Sequence, residues 1–379
     1  MPRRAAGARL YWRERSDGQS VWEIRDTGGI RISTGARCRA DAEAQLAAYI
    51  ERKNRPTGPV AADELSVSMC LAIYAEEHAA HISAPERIGY AIEALDEFWR
   101  DLAVSAVSGG TCRRYAKSRV RRFKDGSICP ISPGTIRREL NVLQAAINYC
   151  HGEGYLITAP KVVLPVRPDP VERFLTRQEA AWLLRAARNL RRDGRHLTDF
   201  TLHGLYTGSR KDTILGMHID TPSVSGGHVD TVNGILYRKP MGKAETKKRQ
   251  RPARLPPRYL AHLRRQAANG RRFVVQDCDG YRVGDIRKGW ARAVRLAEEL
   301  AAGQGIEIDL TMPDGKGGRK YITPHVLKHT AITWALQRGA SIWDAAGYFS
   351  TSPETIQRVY GHHAPDHMQS AVEAMDRRI

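Results

Sequence analysis

Thr323-Pro324-His325-Val326-Leu327-Lys328-His329-Thr330 and, beyond an apolar helix, Arg358-Val359-Tyr360-Gly361-His362-His363 are the stretches on which the reading of this chain turns. His325 and Lys328 stand at i and i+3, so a helix over this segment projects both from one face. Tyr360 then follows, flanked by basic and imidazole groups. A phenol, with a pKa of about 10, is a weak nucleophile at neutral pH. Surrounded by cations that stabilise its anion, it can attack phosphorus.

Upstream, Thr207-Gly208-Ser209-Arg210 sets a guanidinium on a sharp turn, where it can grip a phosphate with two parallel hydrogen bonds. Cleaving a phosphodiester without a metal requires a nucleophile, cations on the non-bridging oxygens and an acid for the departing 5′ oxygen. Tyr360, then Arg210 with His325 and Lys328, then Lys247 or Lys248 on a long basic turn, supply these in order. The product would be a 3′-phosphotyrosyl link and a free 5′ hydroxyl. That link keeps the phosphodiester energy, so rejoining needs no ATP, and the site is expected to use no cofactor. His362, His363 and His367 lack Cys or carboxylate companions at ligand spacing, so no metal is expected.

The composition points the same way. The chain's 379 residues are enough for two or three domains, and 60 Lys+Arg against 41 Asp+Glu leave a formal charge of +19. So basic a surface calls for a polyanionic partner. No apolar run approaches the roughly 20 residues of a membrane span, and no apolar region follows the charges of Met1-Pro2-Arg3-Arg4 as in a signal peptide. Double-stranded DNA, rather than a membrane, is the expected partner. The six cysteines are scattered with no Cys-x-x-Cys pair, as suits a reducing cytoplasm, where the protein is expected beside the nucleoid.

The predicted fold is α+β, mainly helical and multidomain. Residues 1–57 alternate apolar and charged side chains over three short strands, with a turn signal at Asp17-Gly18 and a helix over 41–52. Arg13, Arg15 and Arg25 belong to a basic sheet able to enter a major groove. A Pro/Gly linker at 54–59 leads to a helical region, 64–158, with helices expected over 65–81, 84–102, 111–123 and from Ser132 onward. There Arg113, Lys117, Arg137 and Arg138 are available to phosphates, with Arg119 among the same cluster. The proline-rich stretch 160–170 marks a second boundary. Residues 173–379 mix helices with strands at 228–230, 234–238 and 251–255, and open on a capping box, Thr176 to Glu179.

The conjunction of Arg210, a hairpin lysine, His325, Lys328 and Tyr360 behind two basic modules resembles the tyrosine recombinases, the phage-integrase family. The resemblance implies an N-terminal arm-site module (1–57), a helical, SAM-like core-binding domain (64–158) and a catalytic domain (173–379) with a small antiparallel sheet. It implies site-specific cutting and rejoining of DNA attachment sites to integrate or excise a mobile element. A tetramer on DNA is implied too, with a directionality factor or DNA-bending host protein as possible helpers. The family's first arginine matches Arg210, and its hairpin lysine, counted back from Pro256, matches Lys248 with Lys247 adjacent. Its H-x-x-R box matches His325 but has Lys328 where arginine is usual. Its later histidine or tryptophan falls by spacing on Thr351, and its nucleophile on Tyr360. The two departures leave room for a DNA-binding relic without cleavage, and the same chemistry would also serve a type IB topoisomerase-like enzyme that only relaxes DNA.

Overall fold

A computed structural model describes residues 7–14, 20–54, 58–82, 84–167, 173–190, 194–243, 250–315, 318–364 and 375–376, apart from the side chains of residues 51, 52 and 54. The chain divides into two compact units, residues 1–168 and 169–379.

In the first unit, β1 (Arg9–Arg13), β2 (Val21–Arg25) and β3 (Arg31–Ser33) form an antiparallel sheet in the order β1-β2-β3. The register pairs Arg9 with Arg25 and Arg25 with Arg31, and strand alternation puts Arg13 on that same face. The other face carries the apolar and aromatic set, with Trp12 and Trp22 edge to face at 5.2 Å and Ile24 buried. Helix α1 (Arg39–Asn54) extends beyond the predicted 41–52. It is tied to the end of β2 by Tyr49 and Lys53, which both reach Asp26, at 2.9 and 2.6 Å. The Asp17-Gly18 turn and Arg15 lie outside the described residues.

Four helices follow in this unit: α2 (Val67–Glu77), α3 (Pro85–Trp99), α4 (Gly109–Ser118) and α5 (Pro133–Gly152). Serine hydroxyls at 66, 108 and 132 accept backbone N–H bonds at the starts of α2, α4 and α5. Their apolar stripes converge on Leu71, Ile73, Leu95, Trp99, Tyr115, Leu140, Leu143 and Ile147, all buried. The helix predicted over 111–123 is corrected: α4 stops at Ser118, and β4 (Val120–Arg122) turns back on β5 (Ile128–Pro130). The reason is local. Asp125-Gly126 makes a turn in which Gly126 takes φ +81°, a conformation only glycine adopts without strain.

The second unit opens with α6 (Arg177–Asn189), whose capping box closes through Thr176 and Glu179 as predicted. Next come α7 (Gly194–Thr207) and the short α8 (Lys211–Leu215). A four-stranded sheet follows, β6 (His218–Ile219), β7 (His228–Asp230), β8 (Ile235–Tyr237) and β9 (Ala253–Arg254), in chain order. The three expected strands, β7 to β9, pair antiparallel, and an additional short strand, β6, joins the sheet parallel to β7. Helices α9 (Pro257–Ala268) and α10 (Arg287–Ala302) and a hairpin of β10 (Thr311–Pro313) and β11 (Arg319–Tyr321) lead to α11 (Val326–Leu336), α12 (Ile342–Tyr348) and α13 (Pro353–Tyr360). Two apolar clusters lie in this unit. The larger joins α6, α7, the sheet, α9 and α10. The smaller packs α11 to α13 on Ile332, Leu336, Phe349, Ile356 and Tyr360. Among the described residues, no helix is long and apolar enough to cross a membrane.

Candidate active site

Arg210 is delivered by a turn that the sequence builds tightly. Gly208 has φ +58°, and a Cβ there would lie 2.5 Å from the Phe349 ring. Thr207 donates its hydroxyl to the His203 carbonyl at 2.6 Å, and its Oγ1 lies 2.9 Å from Ser209 Oγ. Beneath the turn lies Arg238, 5% exposed. It donates to Ser209 Oγ at 3.2 Å and to the Thr207 carbonyl at 2.9 Å. Burial lowers its pKa to about 10, and the charge of Arg210 presses the same way. Arg238 was not foreseen from the sequence, because a lone arginine after a strand carries no spacing signal.

Arg210 and Thr351 line one open hollow of about 540 Å³, together with Arg251, Ser350 and the start of α13. Ser350 holds a left-handed backbone, φ 49°, and its buried hydroxyl has no hydrogen-bond partner among the described residues. Strain of this kind is concentrated at functional sites.

His325 precedes α11, and Lys328 lies in its first turn. The surrounding protein lowers the pKa of His325, first by desolvation and then through the charges of Lys328 and Arg210, which favour the neutral ring. Lys328 is buried, and its ammonium donates to the Phe349 carbonyl at 2.9 Å. It therefore supports the Phe349-Ser350-Thr351 turn as well as bringing a charge to the site.

Tyr360 ends α13 with its ring in the smaller apolar cluster. Its hydroxyl meets His329 Nδ1 at 2.7 Å. Burial raises the phenol's pKa to about 12. His329 in turn meets His325 edge to face, with ring centroids 4.9 Å apart. A run of contacts thus leads from His325 through His329 to Tyr360, while Arg210 lies in the hollow with Thr351. The sequence reading assigned His329 no role. Its signal was present, since residues 325 and 329 share a helix face at i and i+4, but the reading stopped at i+3.

The remaining predicted residues are dispersed. Lys247 and Lys248 lie outside the described residues. Arg13 and Arg25 flank the buried Glu23 carboxylate, at 3.2 and 3.0 Å, and Arg25 stacks over Tyr11. The basic sheet face therefore carries one acid at its centre. Arg113 and Lys117 are exposed on α4, and Arg138 on α5. Arg137 instead donates to the Pro165 carbonyl. Arg119 is committed to Glu139 at 2.8 Å, an ion pair that Tyr115 completes, so it is not free for phosphate.

This fold is shared, at low sequence identity, with solved integrases. A transposon Tn1549 integrase fragment, solved in complex with transposon right end DNA, is similar with a TM-score of 0.59 and 15% identity, over 83% of this chain and 100% of that one. A lambda integrase, solved as a tetramer bound to a Holliday junction, is similar with a TM-score of 0.55 and 14% identity, over 94% of this chain and 95% of that one. No protein-family profile matches the chain, and no curated protein sequence matches it.

Proposed function

We propose that the protein is a site-specific DNA recombinase that cuts and rejoins strands through Tyr360. The observation that carries this reading is the placement of the Tyr360 hydroxyl on His329, beside His325 and Lys328, in a unit where Arg210 projects from a braced turn. In this mechanism Arg210 and His325 hold the non-bridging oxygens of the scissile phosphate. The buried charge of Lys328 adds to the field, and Thr351 donates a neutral hydrogen bond. Lys248, or Lys247 beside it, protonates the leaving 5′ oxygen. Positive side chains supply the charge that a metal otherwise brings, so the reaction is written without metal or ATP.

The three-module division belongs to the same reading: residues 1–57 as an arm-site reader, 64–158 as a core-site clamp and 173–379 as the catalytic domain. Arg13, Arg15, Arg25, Arg113, Lys117 and Arg138 meet phosphates or base edges, and Arg137 braces the end of the clamp. The solved integrases bound to DNA, one of them a tetramer on a junction, support double-stranded DNA as the partner and a tetramer as the working assembly. Accessory directionality or bending proteins fit such an assembly, which would act in the cytoplasm on the nucleoid.

One observation favours a second reading, a DNA-binding protein without cleavage: the Lys328 ammonium is spent in part on a backbone carbonyl. The test uses a pool of nicked duplexes with a randomised segment, and scores covalent complexes under denaturing conditions. The recombinase reading expects complexes with the wild type and none with Tyr360→Phe. Binding without complexes in either would favour the second reading. Relaxation of supercoiled plasmid without strand exchange would mark a topoisomerase-like enzyme.

A further inference from the structure

Resting on the cleavage chemistry proposed above, we infer that His329 is the base that takes the proton of Tyr360 as the strand is cut. The geometry is direct. Tyr360 Oη and His329 Nδ1 are 2.7 Å apart, and the bond links the end of α13 to α11. A general base must lie within roughly 2.6–3.2 Å of the proton it removes, or reach it through one water.

Other basic groups near the nucleophile are poorly suited. Arginine has no lone pair to accept a proton, which excludes Arg173. Arg173 is in any case held by Glu179 at 2.7 Å. The Lys328 ammonium is a donor, already turned to the Phe349 carbonyl. His325 touches the ring of His329 and makes no hydrogen bond to Tyr360 among the described residues. His363 packs its ring against Phe174 at 5.0 Å.

The step balances. Tyr360 Oη bonds to phosphorus as its proton passes to His329 Nδ1. The bond from phosphorus to the 5′ oxygen breaks, and that oxygen takes a proton from Lys248 or Lys247. On rejoining, the 5′ hydroxyl attacks and returns its proton to the lysine, while Tyr360 leaves and recovers its own from His329.

The electrostatics fit this direction. Burial first, then His325 and Lys328, hold the His329 pKa at about 4, so at pH 7 the ring is neutral and Nδ1 can accept. The groups facing it are His325 and Lys328 on its own helix, Tyr360 and His363 from the end of α13 and the turn beyond, and Arg173 from the segment before α6. All are cationic or neutral, so the ring is a weak base in the free protein. A phosphodiester arriving among them brings the missing negative charge and strengthens the base. The nucleophile is thereby activated by the substrate's own charge.

A purely structural hydrogen bond would leave the pH dependence of cleavage unchanged, which gives the test. Single-turnover cleavage of a nicked duplex recovered by trapping is measured for wild type and His329→Gln from pH 6 to 9. The variant is expected to bind the duplex as wild type does, yet cleave about 100-fold more slowly or worse at pH 7. Its rate should climb in proportion to hydroxide where the wild-type rate is flat, and a fluorotyrosine of lower pKa at position 360 should rescue it. Equal rates and equal pH profiles would overturn the inference while leaving Tyr360 cleavage standing. No Tyr360-dependent complex with the wild type would overturn both. Should the variant misfold, shown by lost DNA binding, nitrogen-15 NMR of histidine-labelled wild type decides. An unprotonated Nδ1 of His329 at pH 7 that shifts in Tyr360→Phe is expected. A protonated Nδ1, or one indifferent to that substitution, would contradict the assignment.

Discussion

Lys328 puts a cation in the core and gives it a carbonyl to hold. Replacing it with methionine keeps most of the volume but removes the charge and leaves the Phe349 carbonyl unpaired, at a cost of about 1–3 kcal/mol. Lys328→Met should therefore lower both the unfolding midpoint and the cleavage rate, the latter by at least about tenfold (1.4 kcal/mol); denaturant melts and single-turnover assays would check the pair. Two neutral imidazoles give a second expectation. His203 is fully buried, and burial, with the charge of Arg238, holds its pKa at about 3; that of His329 is held at about 4. Unfolded histidine titrates near 6.5. The sign follows: above that value both states are neutral, and below it only the unfolded chain takes the proton. Stability should fall as pH drops from about 6.5 toward 4, by about 2 kcal/mol at pH 5 for His203 alone. Denaturant midpoints at pH 7 and pH 5 would show the loss, and His203→Gln should shrink it. At this scale the sequence singled out Arg210, His325 and Tyr360 as candidates because each has a spacing or a turn around it. It did not reveal the contacts of Arg238 and His329, which join elements distant in the chain.

Among the elements, the turn before α8 is sensitive to a small change. Gly208 is left-handed and lies against Phe349, so an added methyl meets the ring at 2.5 Å. Gly208→Ala should destabilise the fold and displace Arg210, slowing cleavage more than it weakens DNA binding. Melting and single-turnover rates together would separate the two effects. Helices with hydroxyl caps and apolar stripes were legible in advance, as α5 at Ser132 and α6 at Thr176 show. The failures had physical causes. Residues 111–123 read as one helix because arginine and lysine are good helix formers, yet the Asp125-Gly126 turn pairs Val120–Arg122 with Ile128–Pro130 instead. The two-residue strand β6 is too short to show an alternation, and its parallel pairing with β7 depends on the intervening loop.

The whole molecule separates reading from cutting in this account. Charge is spread over both compact units, while the nucleophile and its companions lie in the second. Removing residues 1–57 should therefore abolish binding to one class of site and leave Tyr360-dependent cleavage of the core site within about threefold; gel shifts and single-turnover assays on the truncated chain would check this. The excess of positive charge also makes affinity fall steeply with salt, since each phosphate contact releases counterions. The boundary between the two compact units, at residue 168, falls in the proline-rich stretch 160–170. The central claim remains that one phenolic oxygen becomes esterified to DNA. Protein trapped on a nicked duplex, digested with trypsin and nuclease and examined by mass spectrometry, tests it most directly. The account predicts a 3′-phosphonucleotide on the peptide bearing Tyr360, and an adduct on any other residue, or none on trapped DNA of any sequence, would contradict it.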